Sequence, residues 1–254
     1  MKIISVTNQK GGVGKTTTAI NLAVGLSRMF KNVLLVDLDG QANATQGLGF
    51  DKKAVTKSVY DALMGDEEVV NIIRSTKYEL MDLLPSNINL NGAKVELINF
   101  PEREYRLKKI LKKISGNYDF LIIDSPPSLD LLTINALAAS DSALIPIQCE
   151  YYALEGLGQL LNTLSKVKKG LNSTLEIEGV LLTMHDKRTR LSFDVINEVK
   201  KHFKGSVYKT IIPRNVRLAE APSFGKSIFD YAPFSNGAIA FDNLSAEFLE
   251  LNYH

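Results

Sequence analysis

Lys10-Gly11-Gly12-Val13-Gly14-Lys15-Thr16-Thr17 is the stretch on which the fold turns. It follows a β-branched run at residues 3–7 and opens a segment of helical periodicity at 16–28. A glycine-rich loop between a strand and a helix lets consecutive backbone N–H groups curl toward phosphate oxygens, and the helix N-terminus adds partial positive charge. The cradle is expected from Lys10, Gly11, Gly12, Val13, Gly14 and Thr17. Lys15 is expected to reach the β- and γ-phosphates, and the Thr16 hydroxyl to ligate Mg²⁺. The usual phosphate loop has a glycine five places before Gly14; here Gln9 stands there, so the motif is a variant.

Outward from this loop, short apolar runs alternate with longer amphipathic segments, the pattern of βα units around a mostly parallel sheet. Strands are predicted at 33–37, 120–124, 143–147, 179–184 and 208–212. Helices are predicted at 105–114, 131–139, 154–168, 192–203 and 238–251. Residues 51–99 read less regularly, as short helices at 59–64 and 69–74 and a strand at 79–84. Nearly continuous apolar strands imply helices on both faces. The expected fold is α/β: one doubly wound domain of the P-loop NTPase type, spanning residues 1–254.

Two of these strands end in carboxylates. Leu34-Leu35-Val36-Asp37-Leu38-Asp39 closes the second strand, and Phe120-Leu121-Ile122-Ile123-Asp124 has the Walker B form. Ligands of doubly wound sheets bind beyond the carboxyl ends of strands, which brings both close to the loop. Alternation puts Asp37 and Asp39 on one face if the strand continues. Asp124 is expected to hold Mg²⁺ through a water.

The composition, 45% hydrophobic and 23% charged with a net charge of +2, is that of an ordinary globular chain. One cysteine, Cys149, excludes an intrachain disulfide framework and an intrachain Cys₂ or Cys₄ metal site. Burial is the favoured reading of Cys149. His185, His202 and His254 have no metal-ligand spacing and read as surface histidines. The chain runs from Met1 straight into a strand pattern, so no signal peptide is expected, and no stretch is apolar enough for a membrane span. The expected location is cytoplasmic.

The string Lys-Gly-Gly-x-Gly-Lys-Thr-Thr resembles the deviant Walker A motif of the MinD/ParA ATPases. Three further strings resemble the ParA/Soj chromosome-partitioning branch: Leu131-Leu132-Thr133-Ile134-Asn135-Ala136-Leu137, Ile147-Gln148-Cys149-Glu150-Tyr151-Tyr152-Ala153-Leu154-Glu155-Gly156 and Ile212-Pro213-Arg214-Asn215-Val216-Arg217-Leu218-Ala219-Glu220-Ala221-Pro222. The resemblance implies Mg²⁺-dependent ATP hydrolysis by an ATP-bound homodimer, with Lys10 crossing to the partner subunit's phosphates and Asp39 positioning the attacking water. It implies that Pro213 and Asn215 line the adenine pocket, although Pro and Asn suit an ordinary turn equally well. It also implies nucleoid association and a ParB-like partner that stimulates hydrolysis. One departure stands out: the family's Asp-Pro-Gln reads Asp39-Gly40-Gln41 here, and glycine frees the backbone that proline would hold. Only nine residues precede Lys10, so the N-terminal helix-turn-helix of larger relatives is not expected.

The modest net charge hides an asymmetry. Residues 181–230 carry ten Lys and Arg against five Asp and Glu. Arg188 and Arg217 lie where the resemblance implies sequence-independent binding of double-stranded DNA; a solvated basic face is the other reading. Lysines 108, 109, 112 and 113 read as the outer face of a covering helix. A MinD-like membrane-positioning ATPase is the alternative function. Its basic amphipathic C-terminal helix is not matched here: Phe241, Leu244, Phe248 and Leu251 form an apolar stripe, but residues 242–254 contain no Lys or Arg. No membrane partner is expected. An iron–sulfur carrier needs paired cysteines, which one Cys149 does not supply. A metabolic ligase on the same fold would lack the two partitioning strings at 147–156 and 212–222.

Overall fold

The computed structural model describes residues 1–150, 153–203 and 205–252. Tyr151, Tyr152 and His254, named above, lie outside them, as do Lys204, one of the ten basic residues counted over 181–230, and the side chains of 153–155 and His202. Seven extended runs form one sheet of order β3-β4-β2-β5-β1-β6-β7. They are β1 (Lys2–Val6), β2 (Val33–Asp37), β3 (Arg74–Ser75), β4 (Met81–Leu84), β5 (Phe120–Asp124), β6 (Ser142–Gln148) and β7 (Glu176–Thr183). Every neighbouring pair is parallel except β3 with β4. The chain first builds outward to β3, then returns through β5 and crosses to β6 and β7. The order therefore reverses around β1, and the crevice beyond its carboxyl end is the natural ligand site of such a sheet.

The helices are α1 (Lys15–Arg28), α2 (Asn43–Gly47), α3 (Val59–Met64), α4 (Val69–Ile72), α5 (Leu90–Glu96), α6 (Arg106–Lys112), α7 (Leu131–Ala139), α8 (Ala153–Gly170), α9 (Arg190–His202), α10 (Val216–Glu220), α11 (Ile228–Tyr231) and α12 (Asn236–Asn252). Period-two alternation sends Leu35 and Ile122 to the face covered by α1 and α12, and Leu34 and Leu121 to the face covered by α3, α5, α6 and α7. A third cluster packs Ile145, Ile147 and Leu182 under α8 and α9. The doubly wound expectation holds, with β2, β5, α3 and α7 at the predicted bounds.

The C-terminal stripe docks into this core. Phe241, Leu244 and Phe248 are fully buried, whereas Leu251 is 52% exposed. Phe248 sets its ring edge against Phe120 at 5.4 Å. Among the described residues no helix is long and apolar enough to cross a membrane. Close approach of α1 to α12 depends on Gly25: a Cβ there would come within 3.0 Å of Ser245 Cβ and closer still to its hydroxyl. Gly25→Val is expected to destabilise the fold by about 2–3 kcal/mol through overpacking, read as a lower urea midpoint at unchanged slope.

Two expectations need correction. Residues 208–212 do not form a strand. Tyr208 N donates to Val180 O at 3.0 Å and Ile212 N to Leu182 O at 2.9 Å, but between them the ladder is diverted. The Glu247 carboxylate of α12 takes the amides of Lys209 and Thr210 at 2.6 and 2.9 Å, leaving isolated bridges at Val207 and Pro213. His185 is not a surface residue. It is buried, its ring edge-on to Phe193 at 5.1 Å, and its Nε2 has no hydrogen-bond partner.

Candidate active site

The loop after β1 reaches its shape through glycine. Gly12 and Gly14 sit at φ +76° and +89°, where a side chain is strained, and Gly14 caps α1, accepting from Thr18 N at 2.8 Å. Two groups not identified from the sequence pin the loop to the sheet. Asn8 donates through Nδ2 to Pro146 O at 2.7 Å and accepts from Lys10 N at 3.0 Å. The Thr183 hydroxyl donates to Val13 O at 2.9 Å. Backbone amides of the loop are thus held in place before any ligand arrives.

Lys15 is 7% exposed, and its ammonium donates to Lys10 O at 3.0 Å. Burial pushes its pKa down, while the Asp124 and Asp39 carboxylates pull the other way. Thr16 and Thr17 are half-buried beside it. The ends of β2 and β5 meet in register, so Asp37 stands opposite Asp124. Their surroundings differ sharply. Asp37 Oδ2 accepts from both Thr45 N and Thr45 Oγ1 at 2.7 Å, and Oδ1 from Asp39 N at 3.2 Å. Burial raises its pKa to about 6 against these hydrogen bonds.

Asp124 is equally buried, but neither carboxylate oxygen has a hydrogen-bond partner. Burial, followed by the facing Asp37, raises its pKa well above the ordinary carboxylate value, with the Lys15 ammonium opposing. A buried carboxylate without partners is costly unless a cation satisfies it. The donor set, one carboxylate beside one hydroxyl, is all oxygen and suits Mg²⁺, a hard cation held by one or two protein ligands.

The strand alternation that would place Asp37 and Asp39 on one face does not extend to Asp39. The strand stops at Asp37, Leu38 is fully buried, and Asp39 opens a turn in which Ala42 N donates to Asp39 O at 2.8 Å. Asp39 Oδ1 accepts from Gln41 N at 2.9 Å. Gly40 fills the first central turn position at negative φ, where proline also fits. The space a side chain would use is taken by Asn91, whose Cγ would lie 2.6 Å from a Cβ on Gly40. Asn91 of α5 thus covers the turn where the family's proline ring would lie.

Lys10 is half-exposed, its ammonium 3.7 Å from Glu150, which also faces Arg214 at 3.5 Å. Pro213 and Asn215 line a cavity of about 350 Å³ with Gly14, Thr17, Leu218 and Phe241. Asn215 also caps α10, its Oδ1 accepting from Arg217 N at 2.9 Å. Arg188 and Arg217 do not line this cavity. Arg188 is 85% exposed and clasps Asp186 through Nε and Nη2 at 2.9 and 2.7 Å; Arg217 pairs with Glu220 at 3.1 Å. The clasp holds the Asp186 carboxyl well below its usual range. Cys149 is buried, which pushes its thiol up to about 11.

A family profile described as an AAA domain matches residues 1–177. The chain is 59% identical to the sporulation initiation inhibitor protein Soj of Bacillus subtilis over 246 residues, covering 97% of each. It is 49% identical to the chromosome partitioning protein ParA of Myxococcus xanthus, covering 98% of this chain and 88% of that one. Among solved structures it resembles a cobyrinic acid a,c-diamide synthase from Mycobacterium smegmatis with bound ADP and magnesium. There the TM-score is 0.86 at 39% identity, over 97% of this chain and 93% of that chain. Identity of this order along nearly the whole length, and not over the phosphate loop alone, makes the chain a member of the ParA/Soj family of P-loop ATPases.

Proposed function

We propose that this ATPase acts in chromosome or plasmid partitioning as an ATP-dependent homodimer that binds DNA without sequence preference and is reset by hydrolysis. A ParB-like partner stimulates that hydrolysis, and DNA binding keeps the dimer on the nucleoid. One observation carries the nucleotide chemistry: the buried Asp124 carboxylate has no hydrogen-bond partner and lies within electrostatic reach of Lys15, the lysine that ends the glycine loop. The likeness to Soj and ParA supports the partitioning role.

In this reading the loop amides and Lys15 hold the phosphates of ATP. Pro213 and Asn215 flank the adenine. Thr16 and Asp124 are the groups that would hold Mg²⁺, which when bound neutralises charge between the β- and γ-phosphates. Asp39 positions the attacking water. Lys10 leaves Glu150 and crosses to the partner subunit's phosphates, supplying a second cation where charge develops.

Arg188 and Arg217 contact DNA phosphates. Their present carboxylate partners are no obstacle, because exposed ion pairs contribute only about 0–1 kcal/mol and exchange readily for a phosphate. Binding should therefore need ATP, fall steeply with salt and ignore sequence. Arg188→Ala and Arg217→Ala are expected to weaken binding equally on unrelated duplexes, each lost contact flattening the log–log salt slope by about 0.9. Both variants should still bind ATP and dimerise. Titrations with ATP, ADP and no nucleotide provide the test. Salt-insensitive binding, a single preferred sequence, or an unchanged double variant would count against this reading, and a preference for anionic vesicles would favour the membrane alternative.

A further inference from the structure

The fully buried Thr45 lies between two parts of the sheet. Its hydroxyl donates to Asp37 Oδ2 at 2.7 Å and accepts from Ser86 N at 3.0 Å, while its own amide donates to the same Asp37 oxygen at 2.7 Å. Asp37 ends β2, Thr45 sits in α2, and Ser86 follows β4 by two residues. The other Asp37 oxygen accepts from Asp39 N at 3.2 Å. One carboxylate thus grips the Asp39 turn at its start and α2 at its end, and the Thr45 hydroxyl extends the grip to the neighbouring strand. Residues 38–44 are spanned between these two fixed points.

We propose that Thr45 is a positioning residue for hydrolysis: its hydroxyl, held between Asp37 and the Ser86 amide, braces the loop that carries Asp39. The proposal rests on the reading that Asp39 positions the attacking water. Thr45 does not line the base-side cavity and touches neither Lys15 nor Thr16 through any hydrogen bond described above. Its effect on the reaction runs through the placement of Asp39. Losing the hydroxyl leaves the Ser86 N–H unpaired in a dry setting and Asp37 short of a donor, so the loop relaxes. A shift of about 1 Å at a reacting group is enough to slow a reaction by up to about a hundredfold.

Thr45→Val keeps the shape and removes the hydroxyl; Thr45→Ser keeps the hydroxyl and removes a methyl group. Steady-state turnover of the full chain with Mg-ATP should show kcat for Thr45→Val reduced about tenfold or more, with KM within a factor of about two of the parent. Thr45→Ser should return to within about twofold of parental kcat. Parental kcat in Thr45→Val, equal impairment in Thr45→Ser, or a rise in KM that accounts for the loss would each overturn the proposal. Asp39→Ala, measured alongside, separates the two readings. If it turns over at the parental rate, the water-positioning reading falls and the brace with it. If it is inactive while Thr45→Val is parental, the brace alone falls.

Discussion

Lys15→Ala is expected to lose Mg-ATP binding at concentrations that saturate the parent. The ammonium is buried, is anchored on the Lys10 carbonyl and lies within electrostatic reach of Asp124 and Asp39. Removing it takes away the main cation for the β- and γ-phosphates and leaves two carboxylates facing incoming negative charge. Truncating one partner of a buried, hydrogen-bonded charge pair costs about 3 kcal/mol or more, roughly a hundredfold or more in affinity. Lys10→Ala should behave differently, because the Lys10 side chain is half-exposed and pairs only loosely with Glu150. It should retain ATP binding and fail to form the ATP-dependent dimer. Fluorescent-nucleotide titration and sedimentation distinguish the two. Parental affinity in Lys15→Ala, or a parental dimer in Lys10→Ala, would remove the corresponding role.

Asp39→Ala should have the opposite phenotype: nucleotide and DNA stay bound and turnover stops. Its half-buried carboxylate opens the turn and takes no part in gripping α2, which Asp37 does. Loss of a positioned acid–base or water-orienting group lowers turnover by about 10²–10⁴-fold. The ATP-bound dimer should accumulate and persist on DNA, visible as a slow off-rate after excess ADP is added. Hydrolysis at the parental rate would shift the role to a backbone-held water, since the Asp37 oxygens are already engaged by Thr45 and Asp39 N.

Much of this site was legible in the sequence because its signals are local. The loop, the Walker B strand and the bounds of β2, β5, α3 and α7 each follow from apolar runs and punctuation within a few residues. What was not legible depends on topology. That Asp37 faces Asp124 requires β2 and β5 to be neighbours, although more than eighty residues separate the two aspartates in the chain. Asn8, Thr183, Thr45 and Asn91 show no motif; their roles exist only once distant elements meet. Local pattern also misled. Residues 208–212 are as apolar as a strand, but a carboxylate from α12 captured two of their amides. Asp37 and Asp39 alternate in sequence, but the strand ends at Asp37 and Asp39 already opens a turn.

The diversion at Glu247 has a consequence beyond the bounds of one strand. A parallel sheet leaves two borders whose free amides and carbonyls invite another chain to add itself. On one border the sheet ends in β3, a two-residue antiparallel stub. On the other, β7 is flanked by a segment that bridges it only at isolated points, with Glu247 occupying two of the segment's donors. Neither rim offers a template for polymerisation. A row of free amides and carbonyls long enough to seat a strand from another copy is thereby missing on both sides, which guards the fold against templated stacking of one sheet on the next.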